Sequence, residues 1–110
     1  MEMKDALDAL AALGQHTRLE AFRLLVKAGP EGLPAGTLAE KLGVVPNTLS
    51  THLGILTRAG LAVSVREGRV IRYTARYDGM RDLLAYLMED CCQGQPEICA
   101  PVLEAVSCSC

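Results

Sequence analysis

The sequence predicts a mainly α-helical domain with one β-hairpin, in the element order ααααββα. Three observations lead to this prediction. Leucines recur at helical spacing in segments separated by glycines, and the apolar period changes from 3.6 to 2 after Gly60. The helical period returns from about Asp78. The 110 residues are enough for one domain, and only one Phe and three Tyr are present, which suits aliphatic helix packing.

The first two helices are predicted over residues 3–13 and from Thr17 through the segment LEAFRLLVKA. In the first helix, Leu7 and Leu10 belong to an apolar stripe, and Gly14 ends the helix. Thr17 with Glu20 has the spacing of a capping box, which predicts the start of the second helix. The inward face of that helix is predicted to consist of Leu19, Phe22 and Val26, with Leu25 alongside.

A short helix over residues 34–42 and a longer one over residues 46–59 are predicted next, joined by a turn at Gly43. Pro46 suits the first helical position, where its missing N–H costs nothing. On the longer helix, Leu49, Leu53 and Leu56 line one apolar face. Helix, glycine-containing turn and helix is the spacing of a helix-turn-helix.

The other face of the longer helix is small, polar and free of acids. No Asp or Glu occurs between Glu40 and Glu67, so nothing on this face repels a phosphate. Short side chains of this kind reach base edges or phosphates in a DNA major groove. The residues predicted to contact DNA from this helix are Asn47, Thr48, Ser50, Thr51, His52 and Arg58. An ordinary solvated helix face is the alternative, and His52 could equally fill the helix junction.

Two alternating segments, Ala62–Arg66 and Arg69–Thr74, surround Glu67-Gly68 and predict a hairpin. Arg66, Arg69 and Arg72 lie on or near it. A basic hairpin directly after such a helix is typical of a winged helix-turn-helix, although a structural hairpin with solvated arginines remains the alternative. The charge pattern favours DNA: segments 1–57, 58–81 and 82–110 sum to −1, +4 and −5, which together give the net charge of −2.

The last predicted helix, from about Asp78, carries a broad apolar face of Met80, Leu83, Leu84, Leu87 and Met88. Together with the stripe on residues 3–13, we interpret it as the interface of a homodimer; an intramolecular core helix is the alternative. Residues 1–92 are therefore predicted as a DNA-binding and dimerisation domain. Residues 93–110 are predicted as a cysteine-containing tail, a loop with a short turn at residues 101–106.

All five cysteines, Cys91, Cys92, Cys99, Cys108 and Cys110, fall within the last 20 residues. A secreted disulfide scaffold would spread its cysteines along the chain and use an even number. No apolar run is long enough to span a membrane, and the first residues lack the apolar core of a signal peptide. We therefore expect a cytoplasmic protein without a membrane partner, in which clustered thiols bind metal or act as redox groups.

The sequence resembles the ArsR/SmtB family of metal-sensing winged-helix repressors over roughly residues 15–73. The resemblance rests on HTRLEAFRLL and on LAEKLGVVPNTLSTHLGILTRAGLAVSVREGRVIRY. It implies a homodimer that binds an imperfect palindrome in its own promoter and releases it when the inducer binds. It also implies that residues 46–59 are the recognition helix and that the hairpin is the wing.

Two ligand sites of the family are absent from this sequence. The helix before the recognition helix, GTLAEKL, has no cysteine, and the last helix has no histidine. Cys91, Cys92 and Cys99 remain, and they look like the arrangement of some arsenic-responsive members. Three thiolates suit As(III) or Sb(III), which bind three sulfurs in a pyramid. We therefore predict a trivalent arsenic or antimony inducer, and the resemblance implies an arsenic-resistance operon as the regulated target.

Other interpretations of the thiols stay open. Zinc or cadmium could take a fourth thiolate from Cys108 or Cys110, which are possible accessory ligands. A methylated arsenical needs only two thiols, and a thiol redox switch could use any pair. The cysteines could also be purely structural.

A small thiol enzyme, such as an arsenate reductase, is the competing class. Enzymes of that kind hold an oxyanion with a Cys-x5-Arg loop. The residues six places after Cys91, Cys92 and Cys99 are not arginines, and no base follows Arg81. We therefore expect no catalytic residues and no organic cofactor.

Overall fold

The computed structural model describes residues 1–89 and 95–106. Four helices, a hairpin and a fifth helix follow one another, as the sequence predicts. One short strand and a sixth helix are additional. In chain order the elements are α1 (Met3–Leu13), α2 (His16–Ala28), a 3-10 turn (Gly29–Glu31), β1 (Leu33–Pro34), α3 (Ala35–Leu42), α4 (Pro46–Arg58), β2 (Ala62–Glu67), β3 (Val70–Ala75), α5 (Tyr77–Leu87) and α6 (Pro96–Val106).

The three strands form an antiparallel sheet in the order β1-β3-β2. The hairpin forms as predicted, but its turn is at Gly68-Arg69, one residue later than the predicted Glu67-Gly68: Val63 opposes Thr74, and Glu67 opposes Val70 next to the turn. The edge strand β1 is too short to be visible as an alternating pattern, and it pairs Leu33 with Tyr73 of β3. It ties the segment before α3 to the wing, so the helix-turn-helix and the hairpin are held in one unit.

The core lies between α2, α3, α4 and the inner end of the hairpin. Its fully buried side chains are Leu25, Leu38, Leu49, Leu53, Leu56 and Leu61. The predicted apolar face of α4 is confirmed. The predicted inward face of α2 is wrong at one position, because Leu19 is 44% exposed while Ala21 and Leu25 are completely buried. The buried face of α2 is centred on Ala21, Phe22 and Leu25, and Leu19 lies outside it.

The turn between α3 and α4 depends on Gly43, whose φ of 64° lies in the left-handed region that favours glycine. The N–H of Val44 donates to the carbonyl of Ala39 at 3.1 Å, which closes the end of α3. Two residues later, Pro46 begins α4 as predicted. The short turn therefore sets the angle at which α4 leaves the core.

Two helix boundaries differ from the sequence prediction. The N-cap of α2 is Gln15, whose side chain accepts from the N–H of Arg18, so the predicted Thr17–Glu20 capping box is wrong. Residues 96–106 form α6 rather than a loop with a short turn, although Pro101 lies inside the helix. Proline removes only one backbone hydrogen bond, and the remaining residues of this segment keep the helical path.

Helix α5 begins beside a local charge pair. Arg76 donates from Nε to the Asp78 carboxylate at 3.2 Å, and the N–H of Gly79 donates to the same oxygen. Partial desolvation of the carboxyl opposes ionisation, but the charge of Arg76 and these hydrogen bonds outweigh it and lower the pKa of Asp78 below 3.8. The stabilisation of the folded state by this lowered pKa is present at neutral pH and is lost as the pH falls through the pKa of Asp78.

Among the described helices, none is both long and apolar enough to cross a membrane.

Candidate nucleic-acid interface

Helix α4 presents the small polar face that the sequence predicts. Its buried leucines turn the opposite side outward, so that the predicted contact residues Asn47, Thr48, Ser50, Thr51 and Arg58 are all exposed. The hydroxyl of Thr51 makes only a long contact, 3.4 Å, with the carbonyl of Asn47, so it can turn to an outside partner. This face has the size and chemistry that a major groove accepts.

The wing arginines fall into two kinds. Arg66 and Arg69 are exposed and make no salt bridge within residues 1–89 and 95–106. Arg72 instead donates from Nε to Glu67 at 2.9 Å and from a terminal nitrogen to the carbonyl of Glu31 at 3.1 Å. Arg72 therefore braces the wing against the turn after α2, and the other two arginines are the ones available to phosphates.

Arg58, at the end of α4, opens onto a cleft of about 310 Å³ between α1 and α4. Arg18 and Asp8 line the same cleft. The carboxylate of Asp8 faces Lys4 at 3.6 Å, and Arg58 has no carboxylate partner among the described residues. Arg58 thus places a positive charge at the carboxyl end of α4.

His52 is half-buried at the inner edge of the polar face. Its Nδ1 lies 3.2 Å from a terminal nitrogen of Arg18, which belongs to α2. The sequence did not indicate Arg18 as part of the site. No local pattern could have done so, because the contact joins residues that are 34 positions apart.

Comparisons with known proteins also find a helix-turn-helix in this part of the chain. A family model described as "Helix-turn-helix domain" matches residues 13–66. An uncharacterized HTH-type transcriptional regulator, YceK of Bacillus subtilis, is 31% identical over an alignment of 94 positions, which covers 81% of this chain and 93% of that protein. An ArsR-like transcriptional regulator from Rhodococcus sp. RHA1 superposes with a TM-score of 0.66 at 28% identity, covering 94% of each chain. The structure of a "possible transcriptional regulator for arsenical resistance" superposes with a TM-score of 0.65 at 28% identity, and the match covers 73% of this chain and 80% of that one.

The chain belongs to the HTH-type transcriptional regulators. Proteins of this type are DNA-binding transcriptional regulators. The solved structures that resemble it include ArsR-like regulators. In the regulator, α3 and α4 are the helix-turn-helix, α4 is its recognition helix, and β2 with β3 is the wing.

The cysteines of the regulator are described at one position only. Cys99 is half-buried on α6 and is disulfide-bonded. The predicted ligands Cys91 and Cys92, and the accessory Cys108 and Cys110, lie outside the described residues. Within the described ranges, no three His, Cys, Asp or Glu side chains come together as a metal site.

The predicted dimer residues of the regulator separate into exposed and buried ones. Leu7 and Leu10 of α1 are 58% and 42% exposed, and Leu84 and Leu87 of α5 are about half exposed. Leu83 is only 4% exposed and belongs to the subunit's own core, so its assignment to the interface is wrong. Met80 is partly buried and packs against the same core. The intramolecular alternative thus holds for the inner edge of α5.

Proposed function

We propose that this regulator is a homodimeric repressor that leaves its operator when As(III) or Sb(III) binds cysteine thiolates near the carboxyl end of the chain. The observation that carries the DNA-binding part is the exposed, acid-free face of α4, flanked by arginines that have no carboxylate partner among the described residues. The similarity to a possible regulator for arsenical resistance supports the choice of inducer.

The dimer is supported by an unusual arrangement of α1. This helix turns its small alanines inward, with Ala6, Ala9 and Ala12 almost completely buried, and leaves Leu7 and Leu10 in solvent. An isolated subunit would bury the leucines instead, since each contributes more apolar area. Helix α1 contacts α5, and the Tyr86 hydroxyl lies 3.7 Å from the sulfur of Met3, so the exposed stripes of the two helices adjoin. A continuous apolar patch of this kind marks an interaction surface.

We expect Leu10→Glu to convert the dimer into monomers, because it places a carboxylate on the exposed apolar stripe of α1. The dimer dissociation constant should rise by at least about 100-fold, which corresponds to roughly 2.8 kcal/mol. Sedimentation velocity at several protein concentrations measures it. Leu19→Glu is the matched control, since Leu19 is 44% exposed against 42% for Leu10 but lies on α2. Dissociation of both variants alike, or of neither, would contradict this interface.

A separate prediction concerns the two kinds of arginine on the wing. Arg69→Gln should lower affinity for promoter DNA and reduce the slope of log K against log salt by about 2 per dimer, because each lost phosphate contact removes roughly one released counterion. Arg72→Gln should change the slope by less than half as much, since Arg72 is held by Glu67 and by the carbonyl of Glu31. Equal slopes for both variants would show that the intramolecular pairing does not decide which arginine meets the DNA.

The inducer is supported by the chemistry of the thiols. Cys99 is half-buried on α6 and is disulfide-bonded. Once reduced, its thiolate would be one of the three sulfurs that a thiophilic trivalent ion takes. Release of DNA requires that the ion bind the DNA-incompetent state of the dimer more tightly than the competent one. The bonded state of Cys99 also favours a second candidate, a regulator released when its thiols are oxidised.

Fluorescence anisotropy of labelled promoter DNA distinguishes these candidates. The reduced protein should bind the DNA and release it at nearly stoichiometric arsenite, and Cys92→Ser should abolish that release while leaving DNA affinity unchanged. Release by peroxide and not by arsenite would establish the redox regulator instead. Release by zinc or cadmium alone would replace the pyramidal site with a tetrahedral one. A reduced protein that does not bind its promoter would overturn the proposal as a whole.

A further inference from the structure

We infer that Arg18 is a positioning residue of the DNA interface, which fixes His52 on the recognition helix and joins that helix to the dimerising helix α1. The inference rests on the proposed dimer and on DNA binding, but not on the inducer. It follows from the contacts of one guanidinium.

The guanidinium of Arg18 spans three helices. Its Nε donates to the carbonyl of Ala12 at 2.7 Å, and one terminal nitrogen reaches the carbonyl of Ala11 at 3.5 Å. Both carbonyls belong to the last turn of α1, where a positive charge is favoured, and that of Ala11 also accepts from the N–H of Gly14 at 3.2 Å. The other terminal nitrogen lies 3.2 Å from Nδ1 of His52 on α4. The backbone N–H of Arg18 is itself held by Gln15 at 2.9 Å, so the base of the side chain is fixed as well.

The contact determines the tautomer of the imidazole. A guanidinium offers only donors, so Nδ1 of His52 must accept, and the ring proton must therefore lie on Nε2. His52 is half-buried beside the exposed face of α4, where an Nε2–H is a donor for a phosphate oxygen. Arg18 thus supplies no contact to DNA of its own but presents one through His52.

The same contact gives α1 and α4 a shared anchor. Helix α1 carries the exposed leucines of the proposed dimer surface, and α4 carries the residues that read DNA. A change in the packing of the two subunits that moves α1 would therefore act on His52 through Arg18. The planar fork of arginine makes these bonds simultaneously, which a lysine cannot do from a single nitrogen.

The first test observes the tautomer in the free protein. Long-range ¹H–¹⁵N correlation spectra of the His16→Gln variant contain signals from His52 alone. We expect the Nε2–H pattern in that variant and a mixed pattern once Arg18→Met is added. A purely structural role for Arg18 would leave the tautomer unchanged. An unchanged Nε2–H pattern in the Arg18→Met variant would overturn the inference.

The second test is a double-mutant cycle on promoter DNA, followed by fluorescence anisotropy. Arg18→Met and His52→Ala should each weaken binding by about tenfold, and the double variant should bind within about threefold of either single variant, because both remove one shared contact. Additive losses would overturn the inference. Arg23→Met is the matched control, since it removes the same charge from an exposed position on the same helix and should change affinity by less than about threefold.

Two outcomes keep this inference separate from the proposed function. If Arg18→Met does not fold, Arg18→Lys takes its place, because it retains the charge but not the fork, and it should show the same loss of affinity. Wild-type affinity in both Arg18 variants would reject the positioning role and leave the DNA-binding repressor intact. Failure of the wild-type protein to bind its promoter would reject the proposed function, while the tautomer spectra would still decide the Arg18–His52 contact.

Discussion

Replacing Gly79 by alanine should destabilise the folded protein by about 3 kcal/mol, near the upper end of what overpacking costs. An ideal Cβ at this position would lie 1.9 Å from the backbone oxygen of Gly60 and 3.1 Å from its carbonyl carbon. No rotamer change can relieve an overlap with backbone, so α5 must move away from the end of α4. A loss of this size should lower the melting temperature by roughly 10–20 °C in a domain of about 100 residues.

The backbone around Gly60 has little freedom to yield. The N–H of Leu61 donates to the carbonyl of Leu56 at 3.0 Å, and the N–H of Arg76 donates to the carbonyl of Leu61 at 2.9 Å. Gly60 itself has a φ of 79°. The end of the recognition helix and the start of α5 are thus held together by backbone contacts, and a methyl group at position 79 must break some of them.

The matched control is Gly36→Ala. Gly36 lies inside α3, and an ideal Cβ there meets no atom within 4 Å. Alanine at this position should stabilise the protein by about 0.5–1 kcal/mol, since it restricts the unfolded chain and improves the helix. Thermal unfolding at one protein concentration measures both variants. A melting temperature for Gly79→Ala within about 2 °C of the wild type would show that α5 does not depend on this close approach.

Replacing Thr51 by glutamate should weaken promoter binding by at least about 100-fold, or roughly 2.8 kcal/mol per dimer. Thr51 is exposed in the middle of α4, on a face that lacks acidic side chains. In both subunits, a carboxylate there would lie next to the phosphates and base edges of the DNA groove. Like charges at an interface cost several kcal/mol. Stability should change little, because the Thr51 side chain makes only one long contact.

Gln95→Glu is the control for net charge, since it adds the same negative charge at an exposed position just before α6. Its affinity should stay within about threefold of the wild type at equal ionic strength. Anisotropy titrations on promoter and on unrelated DNA measure both variants. If Gln95→Glu weakened binding as much as Thr51→Glu, the effect would be one of total charge, and α4 would lose its assignment as the reading element.

The recognition helix and the wing could be predicted from the sequence because their signals are local. The period-3.6 leucines of α4, Pro46 at its start and Gly43 before it specify that helix within a few residues. The alternating segments around Gly68 specify the hairpin in the same way. The acid-free stretch between Glu40 and Glu67 likewise predicted an exposed polar face, and the family comparisons agree with it.

Other features depended on partners that are distant in the chain. The sequence contains Arg72 as a wing arginine but does not reveal that Glu67 and the carbonyl of Glu31 accept its hydrogen bonds. It contains Leu83 in an apolar stripe but does not reveal which edge of that stripe faces the subunit's own core. The two-residue strand β1 has no pattern of its own and exists only because β3 pairs with it.

By itself, therefore, the sequence determined the order of the first five helices and the hairpin, the polar face of α4, the basic wing and the cluster of cysteines in the last 20 residues. The tertiary structure alone decided which arginines are engaged, which leucines remain exposed for a partner, and that Arg18 meets His52. The physical reason is the distance along the chain over which each kind of interaction acts. Helix and strand periods, caps and turns act over a few residues, whereas a side chain's hydrogen bonds and burial depend on whatever the fold brings next to it.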